Sequence, residues 1–134
     1  MKKTSPNLNS LTPALKFMSQ IPISALTQVA DYFKVLSELS RLQVLCALKD
    51  GAKNVTEIIE ETSLGQANVS KHLKILTQAG IVKRQPQGVS VYYQITDPMI
   101  FELCELVCQR LEIQLQEQSQ ALKELKDLDG LRQP

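Results

Sequence analysis

Two groups of residues in this sequence can do chemistry. The first is three thiols, Cys46, Cys104 and Cys108. Cys104 and Cys108 stand four residues apart, so on a helix they share one face. A thiolate is a nucleophile, a redox centre and a ligand for soft ions. Three readings stay open: a redox or reactive-sulfur pair, a three-thiolate site for arsenite or a thiophilic metal, and small apolar residues packed in a core. An odd number of cysteines argues against a disulfide framework. The second group is Gln66, Asn68, Ser70, Lys71, His72 and Lys74. Gln and Asn bond adenine edges bidentately, while Ser and Lys reach phosphates or bases. His72, the sole histidine, has two readings: a phosphate contact, or a ring packed at a helix edge. A lone histidine makes a poor metal site.

Charge supports the second group. The 134 residues carry a net charge of only +1, but no Asp or Glu lies between Glu61 and Asp97. That stretch holds Lys71, Lys74, Lys83 and Arg84, whereas the chain from Glu102 onward is rich in acid. A local basic surface is what phosphate binding needs. No Gly-rich phosphate loop, metal-ligand cluster or nucleophile–base arrangement is present, so neither an enzyme nor a cofactor is expected. A pure protein-interaction module would leave the acid-free stretch and the polar run unexplained. No apolar run approaches the ~20 residues of a membrane span. The basic start, Met1 to Asn7, has no apolar region behind it, which argues against a secretory signal and makes the cytoplasm the expected location.

The elements that must carry these residues are legible from periodicity and caps. Residues 1–23 read as an N-terminal extension broken by Pro6, Pro13 and Pro22, with a short helix around Ala14 to Ser19. A helix from about Ser24 to Leu36 shows Leu26, Val29, Ala30 and Phe33 on one face. A second runs from about Ser40 to Lys49, with Ser40 and Gln43 as a capping box, Gly51 as a stop and Leu42, Leu45 and Cys46 on its apolar face. Asn54 with Glu57 caps a third, anchored by Ile58 and Ile59. After the turn Thr62–Gly65, a fourth covers about Gln66 to Ala79 and stops at Gly80, with Val69, Leu73 and Leu76 as its buried stripe. Two short helices around a Gly-containing turn make a helix-turn-helix. Period-2 alternation from Val89 to Ile95 predicts a strand, Ile81 to Gln85 its partner and Pro86–Gly88 the turn. Asp97 and Pro98 open a last helix reaching about Leu128. On it, Phe101, Cys104, Cys108, Leu111, Leu115, Gln118, Leu122 and Leu125 follow the 3–4 spacing of a coiled-coil seam, with one polar break at Gln118. The expected fold is mostly α with a small β-hairpin wing, in the order α-α-α-α-β-β-α. Residues 24–128 form its domain and 129–134 a tail.

From Leu64 to Leu76, followed by Ala79-Gly80-Ile81-Val82, the sequence resembles the ArsR/SmtB family of bacterial repressors. Leu36 to Leu45 looks like that family's second-helix signature, and Val91 to Thr96 is similar to the tail of its wing. The resemblance covers roughly residues 25 to 110. Two positions depart from it: Leu39 stands where Pro is frequent, and Gly65 replaces a usual Ser cap, which Gly can serve. The resemblance implies a homodimer through the first and last helices, and repression of a nearby operon relieved by a chemical signal.

Because recognition helices read with their N-terminal residues, base contacts are expected from Gln66, Asn68 and Ser70, and phosphate contacts from Lys71 and Lys74. Lys83, Arg84, Gln87 and Tyr92 are the wing residues expected at the flanking backbone or minor groove. The partner is a double-stranded operator with inverted half-sites. The resemblance also makes the second and last helices neighbours, so Cys46 with Cys104 or Cys108 becomes the expected sensor. The third helix lacks Cys and the last lacks His, which disfavours the family's common metal sites.

Overall fold

The computed structural model describes residues 12–132. The described residues form two compact units that divide between Gln94 and Ile95. The first eleven residues of the expected extension lie outside the described part.

Thr12 caps α1 (Pro13–Gln20) by accepting from the Leu15 N–H at 3.3 Å, with Pro13 in the favoured first turn. This is the short helix expected around Ala14 to Ser19, one residue longer at each end, and it precedes the expected α-α-α-α-β-β-α order. Pro22 in extended backbone then opens α2 (Ile23–Leu36). Its expected apolar face stays outside: Leu26 is 37% exposed, Val29 36% and Phe33 53%. The side turned inward carries Tyr32, Val35 and Leu36, which are half-buried.

Helix α3 (Leu39–Ala47) begins one residue earlier than Ser40 predicts. Its N-cap is Glu38, whose side chain makes no capping bond because it turns toward Arg41 instead. The buried side carries Val44, Leu45, Ala47 and, at the C-cap, Leu48, while Cys46 is exposed. The expectation that Cys46 lies on the apolar stripe is thereby corrected.

Helix α4 (Val55–Thr62) carries the capping box as read. Asn54 Oδ1 accepts from the Glu57 N–H at 2.9 Å, and Glu57 Oε1 accepts from the Asn54 N–H at 3.2 Å. It ends at Ser63, which adopts φ 62° and ψ 14°. A Cβ in the left-handed region costs roughly 1–2 kcal/mol, most for branched residues. Ser63 already carries that Cβ, so Ser63→Val adds only the clash of its branched Cβ and is expected to destabilise the unit by about 1 kcal/mol. Ser63→Gly is near neutral, because relief of the Cβ strain is offset by glycine's greater loss of backbone freedom. A urea titration of the two variants reads this directly, and equal midpoints would refute it.

Helix α5 (Gln66–Gln78) buries Val69, His72, Leu73 and Leu76 against α3 and α4. Gly80 at φ +76° closes it: the Gly80 N–H donates to Thr77 O and the Ile81 N–H to Leu76 O, both at 3.0 Å. This paired closure of the last carbonyls needs a left-handed residue at that point.

The hairpin β1 (Val82–Gln87) and β2 (Ser90–Ile95) turns on Gly88 and Val89, not on Pro86–Gly88. Gly88 has φ +63°, as the first central residue of a type II′ turn requires. Val89, expected on a strand face, sits fully exposed at the tip. Pro86 is tolerated within β1 because that strand is an outer edge. The other side of β2 is occupied: Lys53 and Tyr93 pair as an isolated bridge, with bonds of 3.0 and 2.8 Å. This third rung escaped the sequence reading, because one residue leaves no period. The Lys53 ammonium also pairs with Glu61 on α4, and its hydrogen bond holds that carboxyl below its usual pKa.

In the second unit, α6 (Met99–Arg132) extends past the expected end at Leu128. Asp97 caps it by accepting from the Met99 N–H at 2.9 Å. Cys104 is half-buried, whereas Cys108, Leu111, Leu115, Gln118, Leu122 and Leu125 are all exposed. Among the described residues no helix is long and apolar enough to cross a membrane.

Candidate nucleic-acid interface

Helices α4 and α5, joined by Ser63–Gly65, set the geometry of the polar run. Ile58, Val69 and Leu76 are each 0% exposed and Leu73 is 1%. This lock fixes the rotation of α5, and everything opposite it must face out. Gln66, Asn68, Ser70, Lys71 and Lys74 are accordingly exposed. Gly65 provides the N-cap in extended backbone, so the first turn has no capping side chain. Its free N–H groups, with the helix dipole, favour a negative group at that end.

The hairpin brings Lys83, Arg84 and Gln87 out as exposed side chains and leaves Tyr92 half-buried. Between α5 and the hairpin lies a recess of about 240 Å³ lined by Ser70, Lys74, Thr77, Gln78, Arg84 and Tyr93. Two cations and several hydroxyls in one recess, with no carboxylate among them, suit a phosphate. Thr77 is already committed through its hydroxyl, which donates to Leu73 O at 2.6 Å. Tyr93, Thr77 and Gln78 were not singled out in the sequence. The alternation along β2 marks Tyr93 as a strand residue but does not disclose that its partner is α5.

His72 does not join this surface. It is 2% exposed, and its Nδ1 accepts from Arg41 Nε at 3.3 Å. Its Nε2 lies 3.4 Å from Glu38 Oε1. Of the two readings, the packed ring is the one the geometry supports, and the phosphate contact is corrected. The reason is rotational: His72 adjoins Leu73 on the inner side of α5, together with Val69 and Leu76. Arg41 and Glu38 were missed as its partners. The available signal was an arginine beside an apolar helix face with a glutamate three residues before it.

The thiols stand apart from the basic surface. Cys46 edges a separate recess of about 340 Å³ between α3 and α4, beside Leu42, Gln43 and Thr62. Cys104 and Cys108 are one turn apart on α6, and none of the three is in a disulfide. Within either unit, no group of three or more His, Cys, Asp or Glu among the described residues could hold a metal ion.

A helix-turn-helix with an exposed polar reading face, followed by a basic hairpin, defines a winged-helix DNA-binding regulator. The profile described as "Bacterial regulatory protein, arsR family" matches residues 40–84. An HTH-type transcriptional regulator of Methanocaldococcus jannaschii is 37% identical over 81 residues, covering 60% of this chain and 91% of the relative. The AntR antimony-specific transcriptional repressor has a crystal structure similar at TM-score 0.66, with 30% identity, covering 80% of this chain and 97% of that one. A homodimeric winged helix-turn-helix domain from Mycobacterium bovis matches at TM-score 0.61 and 30% identity, over 70% of this chain and 87% of that one. The chain belongs to the ArsR family and is a DNA-binding transcriptional regulator rather than an enzyme.

Proposed function

We propose that this protein is a homodimeric repressor that reads an inverted-repeat operator and is released by a signal acting on its thiols. The observation that carries the DNA reading is the outward polar set on α5 beside the carboxylate-free recess of Lys74 and Arg84. Gln66, Asn68 and Ser70 contact bases. Lys71, Lys74, Lys83 and Arg84 hold phosphates, with Gln87 and Tyr92 at the flank. Self-association uses the exposed apolar positions of α2 and α6, in keeping with the homodimeric relative. Two such reading helices fit half-sites spaced by the helical repeat.

In the sensing step, Cys46 forms a disulfide with Cys104 or Cys108. Two thiols give up two electrons and two protons to an oxidant or reactive-sulfur species. The exposure of Cys46 and Cys108 supports access of such a species. A second reading, capture of arsenite or another soft metalloid by the same thiols, is favoured by the likeness to an antimony-specific repressor. A triple Cys→Ser variant separates thiol sensing from any other mechanism: it should bind DNA as well as the parent and fail to release it.

The DNA reading is tested by gel shift on the region upstream of the protein's own gene, at two salt concentrations. Affinity should fall steeply with salt. Lys74→Ala should weaken binding to all sequences alike and reduce the salt slope by about 1, whereas Asn68→Ala should relax preference at one base pair. A Lys74→Ala slope equal to the parent's would remove that residue from the interface.

A further inference from the structure

His72 is a buried polar side chain that does not reach the DNA-reading surface, and its partners connect three elements. Arg41 Nε donates to His72 Nδ1 on α5 at 3.3 Å. Its Nη1 donates to the carbonyl of Val35, in the last turn of α2, at 3.2 Å. Its Nη2 pairs with Glu38, the N-cap of α3, at 3.1 Å. The Arg41 side chain is only 14% exposed and that of His72 3%. We propose that Arg41 and His72 are positioning residues, a clasp through which the end of α2 sets the orientation of the reading helix. The inference rests on α5 being the helix that meets DNA.

The physics of the clasp is that of a rigid fork with one arm on a buried ring. A guanidinium is planar, so its three donor directions are fixed relative to one another. The last carbonyls of a helix have no partner within it, and Arg41 supplies one to α2. The bond to the almost fully buried His72 ring is strengthened by its surroundings, while the arm to the 45%-exposed Glu38 is not, and a buried group left without its partner is penalised. The end of α2 therefore cannot shift on its own. Either α5 follows it, or a buried ring nitrogen loses its donor. Helix α2 also carries the exposed apolar positions Leu26, Val29 and Phe33. Whatever covers them acts on a helix whose far end is tied to the reading helix. Apolar packing alone could hold α5 in place, but it would not specify this route from α2.

His72→Phe keeps a ring of similar size and removes both nitrogen partners. His72→Gln offers an oxygen to Arg41 and an amide N–H toward Glu38. Arg41→Lys keeps the charge but cannot span three partners, and it supplies the same comparison if His72→Phe fails to fold. The readout is the ratio of affinities for the upstream fragment and for an unrelated duplex of equal length, with the melting curve and salt slope alongside. His72→Phe and Arg41→Lys should lose about ten-fold of the ratio at unchanged salt slope, with most of it regained in His72→Gln. An unchanged ratio in His72→Phe, or a Gln variant no better than Phe, overturns the clasp. Amide exchange without DNA judges it independently. His72→Phe should speed exchange in the last turn of α2 and in α5 together, and acceleration in α5 alone also overturns it. A parent protein with a ratio of one would defeat the DNA reading, while the exchange result would still decide whether α2 and α5 are coupled.

Discussion

Leu73→Ala is expected to cost the winged-helix unit about 2–5 kcal/mol, the range for truncating a fully buried leucine. Leu73 is 1% exposed on α5, the helix that packs against α3, α4 and β1. A cavity there has no flexible neighbour to fill it, since Val69, Leu76 and Ile58 are themselves fully enclosed. Domains of this size hold only ~5–15 kcal/mol in total, so the loss removes a large part of the margin. In urea the midpoint should fall with the slope unchanged, as for a loss of stability without a change in the surface exposed. Gln66→Ala is the control on the same helix. It lies on the exposed side and should shift stability by less than about 0.5 kcal/mol while weakening DNA binding. If Leu73→Ala and Gln66→Ala had the same midpoint, the assignment of inner and outer faces on α5 would be wrong.

That face assignment was legible in the sequence because two signals agreed there: the stripe Val69, Leu73, Leu76 and the stops at Gly65 and Gly80. The capping box at Asn54 was legible for the same kind of reason, being a bond between residues three apart. What escaped depended on partners distant in sequence. Cys46 looks apolar by neighbourhood, but α3 packs on α4 and α5 with Val44, Leu45 and Ala47 buried, and Cys46 falls outside that side. His72 sat between two readings until its contact with Arg41, 31 residues away, became visible. The hairpin turn is read two residues too early at its start and one at its end because Pro86 suggests a break, although an edge strand accepts proline. At the interface, the exposed polar run on α5 was readable, whereas Tyr93 joins the recess only through the pairing of three segments.

On the proposed homodimer, Leu115→Glu combined with Leu122→Glu should leave monomers and reduce operator affinity by about 10²–10⁴-fold, the scale of the gain from linking two weak sites. Helix α6 has 34 residues, a length of roughly 50 Å at 1.5 Å per residue. Leu111, Leu115, Leu122 and Leu125 stand 51–65% exposed along it, at coiled-coil spacing. Surface of that kind is stable in water only when something covers it, and a second copy of the same seam is self-complementary. Two glutamates per chain would bring four carboxylates into that seam. Each would lose water without gaining a partner, at several kcal/mol apiece. Neither position belongs to the winged-helix unit, so its melting transition and the salt-dependent binding to unrelated DNA should survive. Gln118→Leu should act in the opposite direction, because it replaces the seam's polar break with an apolar residue and tightens association while relaxing register. Sedimentation at micromolar concentration distinguishes these outcomes. A double variant that stayed dimeric with its operator affinity intact would remove α6 from the interface. Leu26, Val29 and Phe33 of α2, together with α1, would then have to carry self-association alone.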